Sequence, residues 1–443
     1  MRFCVETLGC KVNQFESQAV EAVLTARGHT VCAPGDGCDV CIVNTCSVTA
    51  ESGRKSRQAV RRLRRLEKDA LVAVCGCYAQ LSPDAAAALG ADIVMGSGDR
   101  IKLADTIERV CAAGRARRDA PERIVDVCGA PGARGFERLP AGSAGGRTRA
   151  LLKIQDGCDN FCAYCVIPLA RGRSRSLPAD EVGVQAGRLA DAGYCEIVIT
   201  GIELSSYGAD GGGYVLADAL RAAAAAAPGI RLRLGSLWPG TVTRDFARAL
   251  SEIRELCPHF HLSLQSGCDG TLRRMGRRYT TGSVADAIDV LRGEFPGCGI
   301  TADLIAGFPG ETDGEFDATL DFIERCAFSR MHIFPFSARP GTAAAAMPEQ
   351  QEKKVKRARA AAARALAGEM SREFARRNVG AVADVLFETQ SGGVSAGYAG
   401  NYLKVFARGA GLRNLTRRVV ITRAVGEDAF GVVEEVERYR DGR

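Results

Sequence analysis

Three cysteines at the spacing C-x3-C-x2-C constrain this chain more than any other feature. They lie in Gly157-Cys158-Asp159-Asn160-Phe161-Cys162-Ala163-Tyr164-Cys165, just after the strand-like run Ala150-Leu151-Leu152-Lys153-Ile154. Three thiolates on one tight loop can hold three irons of a cubane 4Fe–4S cluster, which four cysteines ordinarily hold. No fourth cysteine follows nearby; the next is Cys195. A three-cysteine site leaves one iron open to a non-protein ligand, by the logic that separates an open catalytic metal site from a closed structural one. A zinc loop and three unrelated buried thiols are the competing readings. Spacing, strand context and motifs further along agree on the cluster.

A chain of 443 residues exceeds one ordinary core, and roughly two to four domains are expected. Its apolar and charged fractions are those of a soluble globular protein. No run of ~18 apolar residues is present to span a membrane. The start, Met1-Arg2-Phe3-Cys4-Val5-Glu6, lacks the apolar segment of a signal peptide. Eighteen cysteines without an export signal argue against a disulfide framework. They fit metal ligation plus buried thiols in a reducing cytosol, so a cytoplasmic location is expected. The net charge of +7 is clustered in Arg54-Lys55-Ser56-Arg57, Arg61-Arg62-Leu63-Arg64-Arg65 and Lys353-Lys354-Val355-Lys356-Arg357-Ala358-Arg359. Such runs are commonly solvated helix faces, but they could also neutralise RNA phosphates.

Three regions follow along the chain. Residues 1–128 alternate strand-like runs (2–7, 39–44, 71–74, 92–95) with helical ones (14–27, 51–68, 83–89, 101–111), which predicts a doubly wound parallel α/β domain. Residues 129–147, rich in Gly, Arg, Ala and Pro, read as a linker. Residues 148–376 alternate again, with strands predicted at 150–154, 196–200, 231–234, 260–264, 300–305 and 331–334. Helices are predicted at 179–192, 216–227, 243–253, 284–294, 313–326 and 349–377. Six β/α units fall short of eight, so an open, partial (β/α)6 barrel is expected, with its active site at the carboxyl ends of the strands. From 377 to the end, short strands at 381–388, 402–407, 418–423 and 430–434 predict a small β-barrel. Such a barrel could carry single-stranded RNA or cap the central domain.

Candidate site residues recur at strand ends. Cys10, Cys46 and Cys77 each follow a predicted strand and precede a helix. Loops at the carboxyl edge of a doubly wound sheet converge on one crevice, so these three distant thiols could form a second three-thiolate site. Cys75 is a rival to Cys77, which lies further out on its loop. In the central region, Gly201, Glu203, Ser236, Gln265 and Gly307 follow successive strands, and Arg277 lies in Met275-Gly276-Arg277-Arg278-Tyr279-Thr280. Glycines let a nucleoside approach the backbone, and an arginine can pair with a carboxylate. A turn or surface role is at least as common for each one alone; their repeated placement is the evidence. His259, His261 and His332 read as packed barrel residues, and Cys4, Cys32, Cys38, Cys41, Cys111, Cys128, Cys195, Cys257, Cys268, Cys298 and Cys326 as buried free thiols.

With these motifs, the chain resembles the methylthiotransferases of the radical S-adenosylmethionine (SAM) superfamily over nearly its whole length. The segments TLGCKVNQ, GCYAQ, HFHLSLQSGCD and GFPGET look most like the branch acting on N6-threonylcarbamoyladenosine in tRNA. Glu203 departs from that pattern, standing where His is often found. The resemblance implies a 4Fe–4S cluster on Cys158, Cys162 and Cys165 whose open iron binds SAM, and an auxiliary 4Fe–4S cluster on Cys10, Cys46 and Cys77. It implies SAM as radical source and methyl donor, with SAM contacts from Gly201, Glu203, Ser236, Gln265, Arg277 and Gly307. It also implies a C-terminal TRAM domain in which Gly400-Asn401-Tyr402 fits an RNA-contacting role, and tRNA as substrate. A flavodoxin- or ferredoxin-like electron donor and a monomer are expected. Sister branches act on isopentenyladenosine in tRNA or on an aspartate of a small-subunit ribosomal protein. A two-cluster electron carrier and a non-catalytic RNA-binding module are the other classes. The first would need no SAM-like strand-end loops, and the second no six placed cysteines.

Overall fold

The runs Val40–Thr45 and Leu71–Gly76 carry apolar side chains on both faces, the mark of strands covered above and below, and they are buried almost throughout. In the computed structural model, which describes residues 1–113, 123–127, 135–142 and 148–434, they are the centre of a six-stranded parallel sheet. Its order is Thr30–Val31, Arg2–Thr7, Val40–Thr45, Leu71–Gly76, Ile93–Met95, Ile124–Asp126. Helices Lys11–Ala26 and Arg100–Ala112 pack on one face. Ala50–Leu66 and Pro83–Ala88 pack on the other. The strand order reverses about Arg2–Thr7, so a crevice opens at the carboxyl ends of its neighbours.

The central region curls six parallel runs into a partial barrel. Arg149–Lys153, Glu196–Thr200 and Arg231–Leu234 form one part. Ser236–Leu237, His259–Gln265, Gly299–Ala306 and Arg330–Pro335 form the rest. Gly235 joins the two parts. The long helix Lys353–Arg377 packs its Ala360, Ala363, Ala367 and Met370 into the central core. It leads into a closed five-stranded barrel. The sequence pattern predicted four strands there. The additional one, Val394–Ala399, is hidden by small residues. A Cβ at Gly397 would lie 2.7 Å from Phe387 Cα, where the partner strand has a bulge.

Part of the expected linker, 129–134 and 143–147, lies outside the described residues, as does Cys128. Over 135–142 the chain is a packed strap. Leu139 is buried among Phe15, Ala19, Leu151 and Val198. Gln185 accepts from Ala141 N–H (3.0 Å) and donates to the Leu139 carbonyl (3.2 Å). The C-terminal barrel covers the amino ends of the central strands, opposite the cysteine loop. Arg233 donates to the Gly400 carbonyl (2.9 Å), Asn401 donates to the Gly297 carbonyl (3.2 Å), and Tyr402 stacks on His259 at 4.4 Å.

Candidate active site

Cys10 caps the helix Lys11–Ala26, Cys46 follows Val40–Thr45, and Cys77 opens the short helix Cys77–Leu81. Two glycines let these loops close on one another. A Cβ at Gly9 would lie 2.8 Å from Cys46 Sγ, and one at Gly76, where φ is +94°, would lie 2.5 Å from Asn44 Oδ1. Burial pushes the thiol of each of the three up, and they reinforce one another: Cys46 acts on Cys10, Cys77 on Cys46 and Cys10 on Cys77. Such a ring of thiols ionises together only when a cation is present. Cys10 is the solvent-facing member. The rival Cys75 is packed in the sheet core with Ile42 and Ile93.

Cys158, Cys162 and Cys165 form the second set. Gly157 (φ +70°) lets the loop turn against the Arg173 carbonyl, and Cys158 N–H donates to the Gly172 carbonyl at 3.0 Å. Ala163 N–H donates to Met275 O (2.9 Å) and Ala163 O accepts from Ala344 N–H (2.7 Å), which pins the loop's far side. Burial pushes the Cys158 thiol up to about 11 and Cys165 up to about 12, with Cys162 adding to both.

Between the sets runs a buried ion network that the sequence pattern did not reveal. Arg171, six residues after Cys165, donates to Glu16 (2.8 Å), Asp156 (3.0 Å) and Asn13 (2.7 Å). Glu16 also takes Arg100 (3.0 Å) and Lys153 (2.9 Å), and Lys153 reaches Asp156 (3.1 Å). Burial pushes the Glu16 carboxyl up, but Arg171, Lys153 and Arg100 outweigh it and hold it well below its usual range. Asp156 is likewise depressed, with burial outweighed by Lys153 and Arg171. With Arg175 on Asp156 at 3.3 Å, four cations face these two carboxylates, and Glu137, pushed up by burial, stands beside Arg100. Arg171 also lies close enough to Cys77 to oppose the rise of its thiol, and its Nε is buried with no partner among the described residues. This surplus of positive charge fits an anionic metal–thiolate group on Cys10, Cys46 and Cys77.

Beside the other loop, Arg277 lies under Trp238 (4.4 Å to the ring centroid), Tyr279 (5.5 Å) and Tyr164 (5.8 Å), and donates to the Ser263 carbonyl at 3.2 Å. Its buried Nε also has no partner among the described residues, which fits a carboxylate-bearing ligand. Glu203 lies close enough to interact with both Arg277 and Cys158. Burial pushes its carboxyl up to about 7, with Arg277 opposing. Gly201, Ser236, Gln265 and Gly307 stand at or just beyond carboxyl ends of strands. A Cβ at Gly201 would lie 2.9 Å from Gln155, and one at Gly307 would lie 2.6 Å from Lys356 Cγ, so both glycines permit close packing. Gln265 holds φ +69° where the strand register shifts.

The barrel lumen is open beside these loops. His332 and Phe334 project from the same face of Arg330–Pro335, and both are exposed. His332 faces His261 at 5.8 Å, and His261 contacts Asp303 at 3.2 Å. Only His259 of the three histidines is a fully packed residue. Lys11, beside Cys10, lies toward the amino ends of the central strands: its ammonium interacts with Tyr402, Arg149, Arg233 and Glu196, and it acts on His259 and His332. The Lys11 side chain is exposed, and desolvation by neighbouring protein pushes its ammonium down while Tyr402 and Glu196 oppose the shift.

The basic runs divide between structure and surface. Arg64 binds the Ala70 carbonyl (2.9 Å) and Asp92, Arg62 pairs with Glu6, and Arg359 is buried on Glu311 at 2.8 Å. Lys55, Arg61 and Arg65 remain exposed. No helix among the described residues is long and apolar enough to cross a membrane.

Residues 152–323 match the Radical SAM superfamily, and residues 2–96 match Uncharacterized protein family UPF0004. The threonylcarbamoyladenosine tRNA methylthiotransferase MtaB of Bacillus subtilis is 38% identical over 410 residues, covering 91% of this chain and 89% of that protein. The protein of the same name from Thermotoga maritima is 38% identical over 402 residues, covering 90% of each. The tRNA-2-methylthio-N(6)-dimethylallyladenosine synthase of Anaeromyxobacter dehalogenans is 36% identical over 401 residues, covering 87% of this chain and 83% of that one. Among solved structures, the radical S-adenosylmethionine methyltransferase TsrM from Kitasatospora setae shares the fold. Its TM-score is 0.55 at 18% identity, over 89% of this chain and 80% of that chain.

Proposed function

This chain belongs to the radical SAM tRNA methylthiotransferase family, and from that premise we propose that it methylthiolates C2 of N6-threonylcarbamoyladenosine next to the tRNA anticodon. The observation that carries the reading is the pair of three-thiol sets flanking one buried, positively biased network. Hydrogen abstraction by itself calls for one such set; the second acquires a role when sulfur must also be delivered.

SAM and a 4Fe–4S cluster are the family's cofactors, and when bound they supply homolytic cleavage of an adenine C–H that no side-chain base can ionise near neutral pH. We assign Cys158, Cys162 and Cys165 to that cluster, and Cys10, Cys46 and Cys77 to a second one that presents sulfur. Arg277, fixed by Trp238, Tyr279 and the Ser263 carbonyl, offers its free Nε–H to the SAM carboxylate. Glu203 is placed to accept from the SAM ammonium. Gly201, Ser236, Gln265 and Gly307 shape the rim around the nucleoside. The C-terminal barrel and the exposed Lys55, Arg61 and Arg65 hold tRNA, and a flavodoxin- or ferredoxin-like protein delivers electrons to this monomeric enzyme.

Lys11 favours threonylcarbamoyladenosine over the dimethylallyl nucleoside. The first carries a carboxylate and the second an apolar chain, and Lys11 offers an exposed ammonium next to Cys10. Nucleoside mass spectrometry of tRNA from a deletion strain tests the assignment. The 2-methylthio form of threonylcarbamoyladenosine should vanish while its parent accumulates. Loss of the dimethylallyl derivative instead, or unaltered tRNA with a ribosomal protein lacking its methylthio group, overturns it.

A further inference from the structure

Four cysteines outside both sets meet in the N-terminal domain. Cys4 and Cys41 are register partners in adjacent parallel strands, so their side chains leave the sheet on one face. That face is covered by the helix Ala50–Leu66. Cys38 enters from the loop before Val40–Thr45, and Cys32 from just after the two-residue edge strand Thr30–Val31. The sulfurs of Cys4, Cys38 and Cys41 lie within 4.8 Å of one another, and all three residues are buried. Cys32 Sγ is 2.7 Å from Cys38 Sγ.

Packing alone does not call for this gathering. An isolated buried cysteine behaves as a small apolar side chain, but here three sulfurs share one point and a fourth, Cys32, lies against Cys38. Cys38 and Cys41 have the C-x2-C spacing of zinc knuckles. Zn–S bonds of about 2.3 Å set tetrahedral sulfurs about 3.8 Å apart, within the 4.8 Å span of Cys4, Cys38 and Cys41; the closer Cys32–Cys38 pair at 2.7 Å has to part as it ligates. The loop is also held in place. Glu67 accepts from Gly35 N–H (2.8 Å) and Gly37 N–H (3.2 Å), and Cys32 N–H donates to the Phe3 carbonyl (2.8 Å). Cys4 and Cys41 lie within their strands, whereas Cys10, Cys46 and Cys77 lie beyond strand ends, so the sites are separate.

We propose that Cys4, Cys32, Cys38 and Cys41 form a structural zinc site that ties the edge strand and the 32–38 loop to the sheet. Four protein sulfurs close the coordination sphere, so the site leaves no position for a substrate. Its ligands are distinct from the six cysteines assigned above, and its fate is independent of theirs.

Zinc and iron are counted in the full-length holoenzyme, purified anaerobically. One zinc per chain is expected, with zinc-edge X-ray absorption showing sulfur neighbours only, at about 2.3 Å. Cys38→Ser and Cys41→Ser should lose the zinc and keep the iron. Zinc retained by both variants, or nitrogen and oxygen neighbours, overturns the proposal. So does wild-type protein with no zinc and a Cys32–Cys38 disulfide detected by peptide mass. Should the variants fail to fold, alkylation of the wild type decides. Stripping zinc with a chromogenic chelator should expose these four thiols to iodoacetamide, and equal labelling with and without zinc overturns the site.

Discussion

Glu16→Gln tests whether the buried network clamps the N-terminal and central units together. The substitution keeps shape and removes one charge. Glu16 is fully buried and touches Arg171 at 2.8 Å, Lys153 at 2.9 Å and Arg100 at 3.0 Å. Its loss leaves Asp156, with Glu137 beside Arg100, facing those three cations. Removing one partner of a buried ion pair costs about 3–5 kcal/mol. At about 1.4 kcal/mol per decade, local opening should become roughly a hundred- to a few-thousand-fold more frequent. Amide hydrogen exchange of Lys11–Ala26 and Arg149–Lys153 reads this directly. Glu181→Gln is the control. It breaks the pair with Arg138, whose side chains are 34% and 64% exposed, and such a surface pair is worth about 1 kcal/mol or less. Exchange in Glu16→Gln that rises less than tenfold refutes the clamp.

The opening free energy read from that exchange, after division by the intrinsic amide rate at each pH, should be flat from about pH 8 to 5 and fall below about pH 4, because Glu16 and Asp156 have depressed pKa values in the fold. Stability from such groups is present above their unfolded pKa values and lost as pH falls toward the folded ones. A fall in that opening free energy on the alkaline side contradicts the assignment of charge. Lys11→Met should raise KM for threonylcarbamoyladenosine-containing tRNA by about tenfold or more, the loss of one charge-assisted hydrogen bond of about 1.5–3 kcal/mol, and leave iron content unchanged; an unaltered KM removes Lys11 from recognition. Arg61→Ala with Arg65→Ala should reduce the slope of log binding constant against log salt by about 1–2, and an unchanged slope takes this helix off the tRNA surface.

How much was legible depended on the range over which each signal acts. The alternation of apolar strands with amphipathic helices is local, so both α/β regions were readable, as was the placement of thiols after strands. The five-residue helices Cys77–Leu81 and Ile167–Arg171 are too short to show a helical period. Val394–Ala399 carries Gly397, which reads as a turn until the bulge opposite is seen. The network was hidden because Glu16, Lys153, Asp156 and Arg171 are ordinary surface types, and only the docking of two units buries them. The strap at 135–142 was read as linker because its buried apolar anchor, Leu139, has no apolar period around it. Arg62 and Arg64 inflated the apparent RNA-binding face while serving Glu6 and Asp92.

The proposed function rests on a division of labour between the two three-thiol sites. It is tested by counting 5′-deoxyadenosine and methylthiolated nucleoside side by side in a variant with Cys10, Cys46 and Cys77 changed to Ala, supplied with SAM, reductant and tRNA. The variant should hold about half the iron, still release 5′-deoxyadenosine and form no methylthiolated product. Product formed at the wild-type rate, or full iron retained, contradicts the claim.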